Sequence, residues 1–250
     1  VSATVATIRR LALGIELVDA VSARRVHRAV SVTLERPPGV RLVRHASALH
    51  TLTYERGVES PAQVLIDDPT RRLVPRRLEL PFASEADVLA AEEAGAEIPV
   101  GERVRRIALF PGAAYNLPSR VTALRGRVVA GGAPLPWTRV EATLAGRDDV
   151  LWRAHGDDRG EFLLVVGPDE TNFGDLVSPL SLDVTVVAPD PAAEPHAGPP
   201  LEVAPAPGDP DAVSTGEARP DDYDPGLVET RTVPLPLGRV TSDLDPYEPS

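Results

Sequence analysis

The sequence predicts a mainly β protein: two antiparallel β-sandwich domains, a short connecting helix, and a Pro-rich acidic loop or arm. Three observations predict it. Apolar residues alternate with period two in many short runs, as they do in strands with one buried face. Gly, Pro, Asn and Asp break those runs at short intervals. The 27 prolines of the 250-residue chain argue against a mostly helical protein.

The elements follow in chain order. VSATVATIRRLALGIELVDA briefly imitates a twin-Arg signal, but Glu16 and Asp19 interrupt its apolar run. Leu11 to Val18 therefore reads as a strand, with Leu11, Leu13, Ile15 and Leu17 on one face. Val30, Val32 and Leu34 repeat the pattern before Pro37-Pro38-Gly39 forces a turn. Further strands are expected at Ala48 to Tyr54, Ala62 to Ile66 and Arg77 to Leu80. The first domain is taken as 1–82, completed if 102–110 joins it as a strand. Ser84 suits a helix N-cap, Glu85 and Asp87 suit the first turn, and Gly95 suits the end. Residues 83–118 thus read as a helical linker with a connecting strand.

The second domain spans 119–241. Its expected strands run through Val121 to Val129, Val140 to Leu144, Leu151 to Ala154, Phe162 to Val166 and Leu182 to Val186. Gly131-Gly132 and His155 to Gly160 supply turns, the latter as a hairpin. Residues 189–224 are dominated by Pro, Ala, Gly, Asp and Glu. Such a segment buries too little to offset its ordering entropy. It is expected as a mobile loop, or as an arm that orders against a neighbouring subunit. Val228 to Leu237 returns to strand patterning, and 242–250 reads as a polar tail.

Composition sets the limits on function. Hydrophobic residues are 42% and aromatics 4%, so the core must be built from Val, Leu, Ile and Ala. All 26 basic residues are Arg, and the net charge is −11. That charge disfavours a nucleic-acid partner. Without Cys there are no disulfides, thiolate nucleophiles or Cys-based zinc sites. No apolar run is long enough for membrane insertion as a helix. A cytoplasmic location is the resulting expectation.

Leu124 to Val166 resembles the carboxypeptidase-regulatory-like, transthyretin-like β-sandwich family. Gly126, Val128, Pro134, Pro136, Val140, Asp157, Gly160 and Phe162 fall in that family's order. IDDPTRRLVPRRLELPF and HGDDRGEFLLVV resemble segments of small accessory proteins in contractile, phage-tail-like injection systems. The resemblance implies a structural subunit at the baseplate or at an end of the sheath and tube. Its partners would be sheath, tube or baseplate proteins, in multiple copies, inside a bacterial cell or in a particle released from it. The Pro-rich insert and the Trp137 and Trp152 pair have no counterpart in that resemblance.

Catalytic signatures are sparse. There is no zinc-protease motif, no G-x-S-x-G elbow, and no Lys for a Walker-A loop. His45 and His50 are five apart and fall on opposite strand faces, as exposed polar residues or a metal pair. His155 with Asp157 and Asp158 reads as a turn or as oxygen ligands for calcium. Asp67-Asp68-Pro69 reads in the same two ways. Arg71, Arg72, Arg76, Arg77, Arg103, Arg105 and Arg106 form either a basic interface or solvated strand edges. Trp137 suits an interface or a core, and Leu201 and Val203 are the apolar contacts available to the arm. The expectation is a non-enzymatic protein without cofactors. The alternatives are a carbohydrate- or surface-ligand-binding module, and an enzyme whose site spacing alone does not reveal.

Overall fold

The computed structural model describes residues 10–27, 30–96, 98–167, 179–189, 198–221, 223–243 and 245–250. The first half of the twin-Arg-like start, and 190–197 with His196, lie outside the described residues. The protein is mainly β, with several sheets. Its first strands are β1 (Leu11–Asp19), β2 (Ser31–Arg36), β3 (Val43–Arg44), β4 (His50–Thr53), β5 (Ala62–Asp67) and β6 (Arg76–Leu80). Helices α1 (Glu85–Glu93) and α2 (Val100–Arg103) precede β7 (Val104–Leu109). Then come β8 (Thr122–Arg127), β9 (Val129–Ala130), β10 (Ala133–Pro134), β11 (Arg139–Leu144), β12 (Trp152–His155), β13 (Glu161–Val166) and β14 (Leu180–Pro189). The last elements are β15 (Leu201–Val203), α3 (Ala212–Thr215), β16 (Tyr223–Leu235) and β17 (Val240–Ser242).

Two sheets, β3-β4-β1-β7 and β15-β6-β5-β2, enclose one hydrophobic cluster. It contains Leu13, Ile15, Leu17, Val64, Ile66, Leu78, Leu80, Ile107 and Leu109. The sheets β12-β11-β14-β16 and β13-β8-β17 enclose a second, with Leu124, Val140, Phe162, Leu164, Leu182, Val184 and Val186. The alternation read from the sequence is the alternation that packs: β6 runs buried at every second residue.

The purely antiparallel expectation is corrected. β1–β7, β6–β15 and β8–β17 are parallel pairs. Each joins strands separated by intervening elements, the long connection that parallel pairing requires.

Domain boundaries also change. Helix α1 has the expected Ser84 cap, with Asp87 N–H donating to Ser84 Oγ, and the Asp87 side chain completes a capping box. The helix links β6 to β7, and both strands line the first cluster, so 102–110 joins the first core as the reading of a completing strand has it. Ala204 and Val213, from the Pro-rich segment, pack in or against that cluster too. At the other end, 242–250 is not merely polar. β17 begins before it, and Tyr247 is wholly buried in the second cluster, edge-on to Phe162 at 5.7 Å.

The turn at 155–160 is not a hairpin. β12 pairs with β11 and β13 with β8, so the turn carries the chain from one sheet to the other. Asp157 Oδ1 accepts from the N–H groups of Arg159 and Glu161. Gly160 takes φ +69, and a Cβ there would lie 2.5 Å from the Val128 carbonyl oxygen. No helix among the described residues is long and apolar enough to cross a membrane.

Candidate functional site: a buried charge cluster between the two cores

The two cores meet at a set of charged side chains, and the Pro-rich segment builds it. β15 adds to β6 in parallel, with Leu201 opposite Arg77 and Glu202 opposite Leu78. The alternation along β15 is inverted from the expected one. Val203 is exposed, Leu201 is half-buried, and Glu202 points inward at 3% exposure. An inward carboxylate is tolerated only with partners, and two arginines supply them.

Arg76, at the start of β6, is 1% exposed. Its Nε donates to Glu202 Oε1 at 3.0 Å and its Nη2 to Glu202 Oε2 at 2.7 Å, a bidentate pair. Nη2 also donates to the Val213 carbonyl, and Nη1 to those of Ala108 and Ser214. All five guanidinium hydrogens therefore have acceptors. Arg139 approaches from the second core, at the start of β11, with Nη2 3.3 Å from Glu202 Oε1. Its guanidinium sits 5.4 Å from the Tyr223 ring centroid, and the Tyr223 hydroxyl donates to the Trp137 carbonyl. One carboxylate thus ties a strand of each core. Burial raises the Glu202 pKa, but Arg76 and Arg139 outweigh it and the net shift is downward.

A second pair fixes the rest of the segment. Arg105, buried on β7, reaches Asp211 Oδ2 at 3.1 Å and the Pro205 carbonyl at 2.9 Å. Asp211 Oδ1 meanwhile caps α3 by accepting from Ser214 N–H. Negative charge of the arm does meet Arg-rich strands, but within the same chain. Backbone pairing and buried ion pairs replace the apolar surface that the sequence lacks.

His155 was expected at an exposed turn; it is 1% exposed. Its ring stacks on Phe110 at 3.8 Å and 19°. Its Nε2 lies against Gly216, and no hydrogen bond of normal geometry reaches either ring nitrogen. Burial, then Arg139 and Arg76, holds its pKa well below 6.5, so the ring is neutral. Gly216 is fixed by this packing: a Cβ there would meet the Phe110 ring at 2.4 Å.

Two clefts flank the cluster. The first, about 390 Å³, is lined by Asp67, Asp68, Arg71, Trp137, Asp157 and Asp158 among others. Arg71 and Asp158 bridge its lips at 3.1 Å, with side chains 52% and 48% exposed. The second, about 560 Å³, includes Phe110, Trp152, Arg153, Val165 and Glu217. Each tryptophan is half-buried and lines one cleft, between the interface and core readings.

The remaining candidates scatter. Arg77 pairs with Glu35 at 2.6 Å, Arg106 with Glu16 at 3.4 Å, and Arg103 donates to the Ile98 carbonyl. Arg72 is exposed. Asp68 accepts from Thr70 and Leu73 N–H, so its acceptors serve a turn. His45 is exposed, but His50 is buried on β4, a correction to the exposed reading of the pair. Among the described residues no three His, Asp or Glu side chains converge as a metal-binding set.

Glu202, Arg139, Tyr223 and Phe110 were not anticipated. The one available signal was Leu201-Glu202-Val203 itself, a strand-like triplet inside a Pro-rich run. No family model, curated protein or solved structure matches the chain.

Proposed function

We propose that the chain is a non-enzymatic structural subunit of a contractile, phage-tail-like injection particle. It is built as two β-sandwich modules and joins neighbouring subunits at the baseplate or an end of the sheath and tube. The observation that carries this reading is the junction. Arg76, Glu202 and Arg139 are buried, mutually paired and spent on holding two cores together. Rigid coupling of two modules is what a connector under mechanical strain needs, and a buried carboxylate held by two guanidiniums from different cores supplies it. The Asp157 to Gly160 turn and the inward Phe162 also agree with the resemblance of Leu124 to Val166. Arg71, Arg72 and Arg106 remain exposed for contacts with acidic neighbours.

The test is isolation of the native complex under mild conditions, followed by identification of the co-purifying chains. Sheath, tube and baseplate proteins are expected with it. Recovery of the chain alone, with no sheath or tube genes beside its own, overturns the proposal.

A second reading, carbohydrate binding, draws on one feature. Trp137 lines the first cleft beside Asp67 and Asp158, an aromatic wall with polar groups of the kind that holds a sugar. A glycan array without hits removes it.

A further inference from the structure

The second cleft holds a guanidinium that the fold does not use. Its apolar wall is built by Val21 from the turn after β1, Phe110 after β7, Leu151 and Trp152 at β12, and Val165 on β13, and polar groups supply nearly as much of the lining. Arg153 lies among them on β12. It is half-buried, its Nε is enclosed without a hydrogen-bond partner, and no carboxylate among the described residues pairs with it. Glu217, the acid on the rim, is exposed and makes no ion pair with it.

Arg105 and Arg139 also leave an enclosed Nε without a partner, so what sets Arg153 apart is the missing carboxylate. Arg76 and Arg139 share Glu202, and Arg105 has Asp211. Arg153 therefore keeps a half-buried charge without a counter-charge among the described residues, a cost unless something pairs with it. Here it stands in a cleft of about 560 Å³ with apolar and polar walls, within the range of small-ligand sites. A planar guanidinium in such surroundings favours a carboxylate, which it pairs bidentately.

We infer that this cleft binds a carboxylate carried on a compact apolar group, with Arg153 taking the carboxylate and Trp152, Phe110 and Val165 the apolar body. The site stands independently of any assembly role. The chemistry has two sources, a free small acid or the C-terminal residue of another chain.

The experiment uses the full chain as Trp137→Phe, so that Trp152 is the sole tryptophan and its fluorescence reports the cleft. The probes are 4-phenylbutyrate and its neutral isostere 4-phenylbutanamide. A short peptide ending in Phe, with a free or an amidated terminus, separates the two sources. Phenylbutyrate is expected to bind at least about tenfold tighter than the amide, as one charge-assisted hydrogen bond sustains. Arg153→Gln removes that preference. Val21→Trp, a substitution in a surface turn, blocks both probes and is read by competition and calorimetry, so the result does not hinge on the folding of the Arg153 variant. A free-terminus peptide that binds tighter than phenylbutyrate assigns the site to a chain end; the reverse order assigns it to a small acid. Equal binding of acid and amide, binding that survives Arg153→Gln, or no binding by any carboxylate probe overturns the inference.

Discussion

Two ion pairs span the same junction and differ in almost everything else. Arg71 and Asp158 meet across the first cleft with about half of each side chain in water. Arg76, Glu202 and Arg139 meet behind it, where water does not reach. The exposed pair gains little, because solvent screens it and two mobile side chains must be held. The buried set gains its geometry from strands and its cost from desolvation, so its members depend on one another. Equal chemistry on paper therefore gives a removable contact in one place and an obligatory one in the other.

The sharpest way to break the comparison is Glu202→Ala. It strands two buried guanidiniums, and a loss of about 3–5 kcal/mol is expected in urea unfolding. A loss below about 1 kcal/mol would show that the junction opens to water and that the two pairs are alike. Phe162→Ala supplies an apolar benchmark inside the second core, also about 3–5 kcal/mol. Gly126 packs under that ring, and a Cβ there would lie 2.3 Å from it, so Gly126→Ala is expected to act on the same core.

The pH dependence of stability sharpens the picture next. His155 has a folded pKa well below 6.5, caused by burial and then by Arg139 and Arg76. The unfolded ring takes up its proton near 6.5, so below that pH the unfolded state binds more protons than the folded one. Stability should fall as pH drops below about 6.5, with a slope approaching about 1.4 kcal/mol per pH unit. His50, lowered by burial and Arg44, acts in the same direction and needs its own control. His155→Phe keeps the stack on Phe110 and should flatten the slope; an unchanged slope would mean the ring is not buried neutral.

The smallest effect is expected at the exposed pair. Asp158→Ala should cost less than about 1 kcal/mol, and that difference should shrink further with added salt. Glu202→Ala should respond little to the same salt. If salt acts equally on both variants, burial is not what separates them.

Reading the sequence located most strands, the capped helix and the Asp157 to Gly160 turn, because those depend on local period and turn chemistry. It placed Phe162 in a core for the same reason. The charge cluster was only half legible. Arg76 and Arg77 are neighbours with one local signal, yet strand alternation buries the first and leaves the second beside Glu35. Which of the two faces inward was written in the period; what it would meet there was not.

The sequence by itself determined the β character, the mainly aliphatic core and the positions where the chain must turn, since each follows from side chains a few residues apart. Tertiary structure alone decided the fate of the Pro-rich segment. Its apolar residues are too few to order it, so from composition it belongs to solvent or to another subunit. Pairing of β15 with β6 brings Glu202 to Arg76, 126 positions away, and closes Arg139 of the other core onto the same carboxylate. An interaction whose partners lie that far apart leaves no period and no spacing to read. Its strength comes from the exclusion of water, which exists only once both cores have formed.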